Sequence, residues 1–177
     1  MKKITTKKLV LSSLFLALGL ILPLLTAQIP SISNKLLPMH LPILLCGFIL
    51  GWPYGLIIGF ITPILRSAIF GMPPMYPIAL AMAFELGTYG LISGLAYKLF
   101  AKNLKNVYIS LLVSMIGGRI VLGLVNTIFF KLAGNVYTWK IFMTGAFLNA
   151  IPGIIVQLVI IPILISSLKK KGLIYND

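Results

Sequence analysis

From Leu9 onward the chain is a succession of long apolar runs, broken only by short clusters of glycine, proline and lysine. Such runs leave few folds open. In lipid the backbone must satisfy its own hydrogen bonds, which helices do within one segment, and each crossing needs roughly 20 apolar residues, with a range of about 17–25. Leu9 to Ala27 supplies one crossing. Leu36 to Phe70 is too long for a single helix and holds Gly51-Trp52-Pro53-Tyr54-Gly55, a turn signal, near its middle. It divides into two short spans, 38–51 and 54–70. Gly71-Met72-Pro73-Pro74 breaks the chain again, and runs over 76–100, 107–130 and 142–168 follow. The expectation is an all-α integral membrane protein, one domain over residues 1–177 built as a six-transmembrane-helix bundle. A mean hydropathy of +1.07 with 10% charged residues agrees, since a soluble domain of this size needs far more polar surface. Leu9 to Leu25 is longer than a signal-peptide core, and Leu25-Thr26-Ala27 does not match a cleavage site, so a retained first helix is expected. Pro23, Pro63, Pro152 and Pro162 fall inside spans, where neighbouring helices can re-satisfy a kinked backbone.

The formal charge of +13 points first to nucleic acid, but no basic face with interleaved aromatics exists outside the apolar runs, so no nucleic-acid partner is expected. The lysines instead flank the spans. With six crossings, Lys2, Lys3, Lys7, Lys8, Lys98, Lys102, Lys105, Lys169, Lys170 and Lys171 share one side, and Lys35, Lys131 and Lys140 the other. The bias of lysine toward the cytoplasm then places both termini inside a multi-pass protein of the cell membrane. Tyr76, Tyr137 and Trp139 fall at span ends, where aromatic belts form.

Catalytic chemistry has little to work with. Cys46 is the only cysteine, so no intrachain disulfide or thiolate cluster can form, and it reads as a small buried hydrophobe. One histidine, His40, and two acidic residues, Glu85 and Asp177, cannot build a metal site with the usual spacing. No phosphate-binding loop is present, and no serine or threonine has a plausible base. A protein that is not an enzyme, with no cofactor and no metal, is expected.

Ionisable residues inside spans are costly and are functional candidates by default. Three are buried in the spans, away from their ends: Arg66, Glu85 and Arg119. Asn126, Asn149 and Gln157 add amides, and His40 precedes the second span. One carboxylate against two guanidiniums leaves a net positive charge, which a bound anion would balance, and arginine can hold a carboxylate bidentately. Arg66, Glu85, Arg119, Asn126, Asn149 and His40 are therefore the candidate substrate-binding residues. A second reading stays open: Arg66 and Glu85 pair structurally, Arg119 snorkels or binds carbonyls, the amides bridge helices, and His40 is a solvated loop residue.

Small residues four apart mark close helix packing. Ser13 and Ala17 do so on the first helix; Gly47, Gly51, Gly55 and Gly59 follow, and then Gly90 and Gly94. Packing within the chain is the usual reading, and the Ser13–Ala17 face could instead meet a partner membrane protein.

Three stretches resemble a known family. They are Lys8-Leu9-Val10-Leu11-Ser12-Ser13-Leu14-Phe15-Leu16-Ala17-Leu18; Met39-His40-Leu41-Pro42-Ile43-Leu44-Leu45 with Gly47 and Gly51; and Arg66-Ser67-Ala68-Ile69-Phe70-Gly71-Met72-Pro73-Pro74 with Ala83-Phe84-Glu85. Together the chain resembles the substrate-binding S component of an energy-coupling factor (ECF) vitamin transporter. The resemblance implies an outward-facing vitamin site, gated by the loop after Arg66. It also implies a partner ECF module of one transmembrane coupling subunit and two ATPases, and toppling within the lipid bilayer. Family members often carry Ala-xxx-Ala on the first helix against the coupling subunit; here Ser13 replaces the first alanine. The positive set favours a carboxylate-bearing vitamin, and the loop pattern looks most like pantothenate-type members. The alternatives are a stand-alone secondary transporter for a small organic anion, with Glu85 as proton carrier, and a membrane scaffold without a small ligand.

Overall fold

The computed structural model describes residues 6–26, 35–100 and 103–176. Ala27, Lys2, Lys3, Lys102 and Asp177 lie outside the described residues. Six principal helices form the bundle, with no strand among the described residues. Helix α1 runs Thr6–Ile21 and tightens into a 3-10 turn over Leu22–Thr26, where Pro23 supplies no N–H to the ladder. Helix α2 is His40–Leu50 and α3 is Trp52–Phe70. Helix α4 spans Met75–Leu99, α5 spans Leu104–Leu132 and α6 spans Trp139–Lys170. Asn103 caps α5 by accepting from the Asn106 N–H at 2.9 Å.

Five of the six helices are long and apolar enough to cross a membrane; α2 is not. Its 11 residues rise about 16 Å, roughly half the hydrocarbon thickness. The short span expected over 38–51 is present as a helix, but one too short to cross a membrane alone. Leu37 takes a left-handed φ of 50° beside Pro38, which stops the helix from extending backward, and Gly51 at φ 98° ends it. A half-length helix is tolerable because α1, α3, α4 and α6 all pack on α2. Ile43, Leu44, Cys46 and Phe48 are fully buried, so α2 is the inner element and the others form its wall. Large apolar side chains point away from that core, among them Leu14 on α1, Ile116 on α5 and Ile163 on α6, as lipid contact requires.

Helices α3 and α4 approach to backbone contact. A Cβ on Gly90 would overlap the Gly55 carbonyl, and one on Gly94 would overlap the Trp52 backbone. The glycine stripe on these two helices therefore packs within the chain and fixes their rotation about each other.

Beyond α6 the chain turns at Gly172 (φ 66°) and folds back under the bundle. Tyr175 donates its N–H to the Ile49 carbonyl at 2.7 Å, and Lys8 donates to the Tyr175 carbonyl at 2.7 Å. Asn176 donates its side-chain amide to the Gly94 carbonyl at 2.9 Å. This tail covers the ends of α2 and α4 on the side that carries Lys8, Lys169 and Lys170. The bundle thus has a lysine-rich end that is plugged, and an opposite end where α3 leads into α4 and α5 into α6.

Candidate functional site

The half-length of α2 decides where polar chemistry can collect. Because α2 stops short, its first residue lies well inside the bundle, and the space beyond it remains a cavity of about 240 Å³. His40 lines that cavity from α2, Met82 and Glu85 from α4, Arg119 and Asn126 from α5, Tyr137 from the α5–α6 connection, and Gly145 and Asn149 from α6. The wall contributed by α6 is a π-type turn over Thr144–Leu148, where a widened backbone and the small residues Gly145 and Ala146 leave room. Glu85 and Arg119 each stand about 21–23 Å along their helices from the lysine-rich end, so the site sits toward the opposite end.

Three ionisable side chains meet here. Arg119 Nη1 lies 3.2 Å from Glu85 Oε1, and His40 Nε2 lies 3.6 Å from the same oxygen. His40 and Glu85 are each 2% exposed and Arg119 5%. The Tyr89 ring packs edge-on against the imidazole, centroids 5.2 Å apart, and holds it toward Glu85. Asn126 donates to the Tyr137 hydroxyl at 3.3 Å, tying α5 to the following connection.

The cluster is under-satisfied. Both nitrogens of His40, Oε1 of Glu85 and Nη2 of Arg119 are buried without a hydrogen-bond partner. The 3.6 Å separation between His40 and Glu85 is too long to count as one. Buried polar atoms are nearly always paired, and an orphan costs about 1–3 kcal/mol. Three orphan nitrogens, with a Glu85 oxygen held by its ion pair alone, form a donor and acceptor set around one cavity that a polar ligand would complete.

Arg66 is placed elsewhere. Its Nη1 donates to the Leu20 carbonyl at 2.6 Å, and its guanidinium lies over Phe70 at 5.3 Å. The reason is local. Leu20 precedes the tight turn of α1, where the donor three residues on would be Pro23, which has no N–H. Arg66 supplies the missing donor from α3, so the carboxylate partner of Glu85 is Arg119 and not Arg66. His40 likewise is not a solvated loop residue but the buried first residue of α2.

The remaining sequence candidates are spread out. Asn149 lines the cavity with an exposed side chain, whereas Gln157 is buried away from it with Nε2 unpartnered. Ser13 is exposed on α1 and bonds back to the Leu9 carbonyl at 3.0 Å, and Ala17 is half-buried one turn on. Sequence reasoning missed Met82 and Gly145 as lining residues and took Tyr137 for a belt residue. Only the proximity of Met82 to Glu85, one turn apart on a helix, could have flagged any of them.

Comparison with known proteins bears directly on this arrangement. A family model described as "ECF transporter, substrate-specific component" matches residues 7–165, nearly the whole bundle. No curated protein and no solved structure matches the chain. Proteins of that kind are membrane-embedded transporter subunits rather than enzymes; they bind a small-molecule substrate and work with an ECF module. With a polar cavity enclosed by a helical membrane bundle and a family match over that bundle, the chain belongs to the substrate-specific components of ECF transporters.

Proposed function

We propose that the cavity between α2, α4, α5 and α6 binds a carboxylate-bearing vitamin of the size and polarity of pantothenate. The observation that carries this reading is the set of four buried polar atoms left without hydrogen-bond partners around it. Arg119 Nη2 and an imidazole N–H of His40 are donors that a ligand carboxylate would accept from together. Glu85 Oε1 is an acceptor for a ligand hydroxyl or amide N–H. Asn126 and Asn149 offer amides at the wider end. Pantothenate carries a carboxylate, two hydroxyls and an amide, which match that inventory. A cavity of about 240 Å³ is below the usual ligand-pocket range of about 300–1,000 Å³ and disfavours a vitamin as large as folate. Arg66 has no part in this reading, because its guanidinium is held at Leu20.

Both termini face the cytoplasm in this reading, so the plugged lysine-rich end is inside and the cavity is loaded from outside. The lysine bias of the span ends supports it. The transmembrane coupling subunit of the ECF module would dock on the outer face of α1, where Ser13 and Ala17 lie.

Titration of the purified full chain with pantothenate and with its neutral amide tests the site. Arg119→Met should weaken the acid roughly 10- to 150-fold, the loss of one hydrogen bond to a charged group at about 1.5–3 kcal/mol, and the amide much less. Arg66→Met should leave the ratio of the two affinities unchanged. Equal weakening of acid and amide by Arg119→Met would remove the carboxylate reading. Tight binding of another acidic vitamin in place of pantothenate would keep the carboxylate and discard pantothenate.

A further inference from the structure

A second pocket lies at the lysine-rich end, remote from the first. It opens between the start of α5 and the end of α6, with a volume of about 310 Å³, and Tyr97, Asn103, Leu104, Ser166, Lys169 and Lys170 line it. Three features of its wall favour an anion. Lys169 and Lys170 close the last turn of α6 and are exposed. The N-terminus of α5, a helix of 29 residues, supplies first-turn N–H groups and the positive end of its dipole. The Asn103 side chain accepts from the N–H of Asn106, whereas the N–H groups of Leu104 and Lys105 have no acceptor within the helix. The third feature is independent of the other two. Tyr97 is 1% exposed, its ring is wedged edge-on against Phe48 at 5.4 Å, and its hydroxyl has no hydrogen-bond partner. A buried phenol normally finds one.

We propose that this pocket binds a phosphate group, with the Tyr97 hydroxyl and the first-turn N–H groups of α5 donating to its oxygens and Lys169 and Lys170 balancing its charge. Helix N-termini and paired lysines are a recurrent setting for phosphate. The pocket lies where apolar helices end in lysines, the level of lipid headgroups. Leu104 and Tyr108 on α5 are exposed beside it and give acyl chains a path. A phospholipid headgroup and free phosphate share the chemistry, and the assay separates them.

The assay is native mass spectrometry of the full chain in neutral detergent, titrated with phosphatidylglycerol, with phosphatidylcholine, and with inorganic phosphate as competitor. One phosphatidylglycerol should be retained at least tenfold more tightly than phosphatidylcholine. Lys169→Gln with Lys170→Gln should weaken it tenfold or more, and Tyr97→Phe about fivefold, while Lys140→Gln at the opposite end should change nothing. Tyr97→Phe removes one unpartnered oxygen and keeps the ring, so folding is preserved. Displacement by millimolar phosphate would assign the site to the free anion, and resistance to it would assign the site to the lipid. If phosphatidylglycerol shows no preference over phosphatidylcholine and inorganic phosphate does not bind, the proposal is wrong. It is equally wrong if the lysine and tyrosine variants bind as the parent does.

Discussion

The Glu85–Arg119 pair gives the sharpest test of the site's physics. In Arg119→Met the carboxylate of Glu85 keeps its position, 2% exposed, but loses the guanidinium 3.2 Å away. Its remaining ionisable neighbours are His40, at 3.6 Å and without a hydrogen bond, and the Tyr89 hydroxyl. Breaking a buried pair from one side costs about 3–5 kcal/mol, because the surviving charge stays desolvated. That is roughly a 150- to 5,000-fold fall in the ratio of folded to unfolded protein. Adding Glu85→Gln removes the stranded charge, and a neutral amide against a methionine in the same volume should return most of the loss, since replacing both members of a buried pair is often nearly neutral. The assay is reversible unfolding in mixed micelles of rising dodecyl sulfate content, run without ligand on the parent, both single variants and the double. The expected result is a double variant clearly more stable than Arg119→Met alone, and a coupling energy above about 2 kcal/mol. Additive losses, with the double variant the least stable of the four, would mean that the two side chains do not feel each other and that the site is not the desolvated cluster described above.

Other consequences follow from particular contacts. Arg66→Met strands the Leu20 carbonyl and should cost about 1–3 kcal/mol in the same unfolding assay, without altering ligand selectivity. Gly90→Val drives a side chain into the Gly55 carbonyl and should cost about 1–3 kcal/mol or prevent folding, whereas Gly145→Ala, with open space around its Cβ, should cost little; comparing their midpoints checks both. Ser13→Trp and Ala17→Trp should abolish uptake by membrane vesicles while leaving vitamin binding by the isolated chain nearly intact, because an indole cannot enter a close helix contact; equal loss of both would place that face in the chain's own packing. In a Cys46→Ala background, an impermeant thiol reagent added outside should label a cysteine at Lys140 and spare one at Lys105; the reverse pattern would invert the orientation.

Much of the architecture was legible without coordinates. Apolar runs of membrane length, broken at Gly51-Trp52-Pro53 and Gly71-Met72-Pro73-Pro74, imply helices in lipid, because the backbone there has no other way to pair its polar groups. Glu85 and Arg119 stood out for a similar reason: charge inside a span is too costly to keep without a partner. These inferences use only composition along the chain, and the family resemblance drew on the same stretches.

What composition along the chain could not decide was which charges face each other. Partner choice depends on how each helix is rotated and how deep it starts. The rotation of α3 against α4 is set by glycines that touch across the interface, Gly55 against Gly90 and Trp52 against Gly94. With α3 so placed, Arg66 meets the carbonyl that Pro23 leaves without a donor, and Glu85 is left to Arg119. Depth worked in the same way on His40. The left-handed turn at Leu37 shortens α2 to half the membrane, and His40, which the sequence left open between a ligand contact and a solvated loop residue, becomes a buried wall of the cavity. Local sequence set the helices and their ends; contacts between segments distant in the chain chose the partners, because an ion pair a few ångströms long depends on the packing of every helix around it.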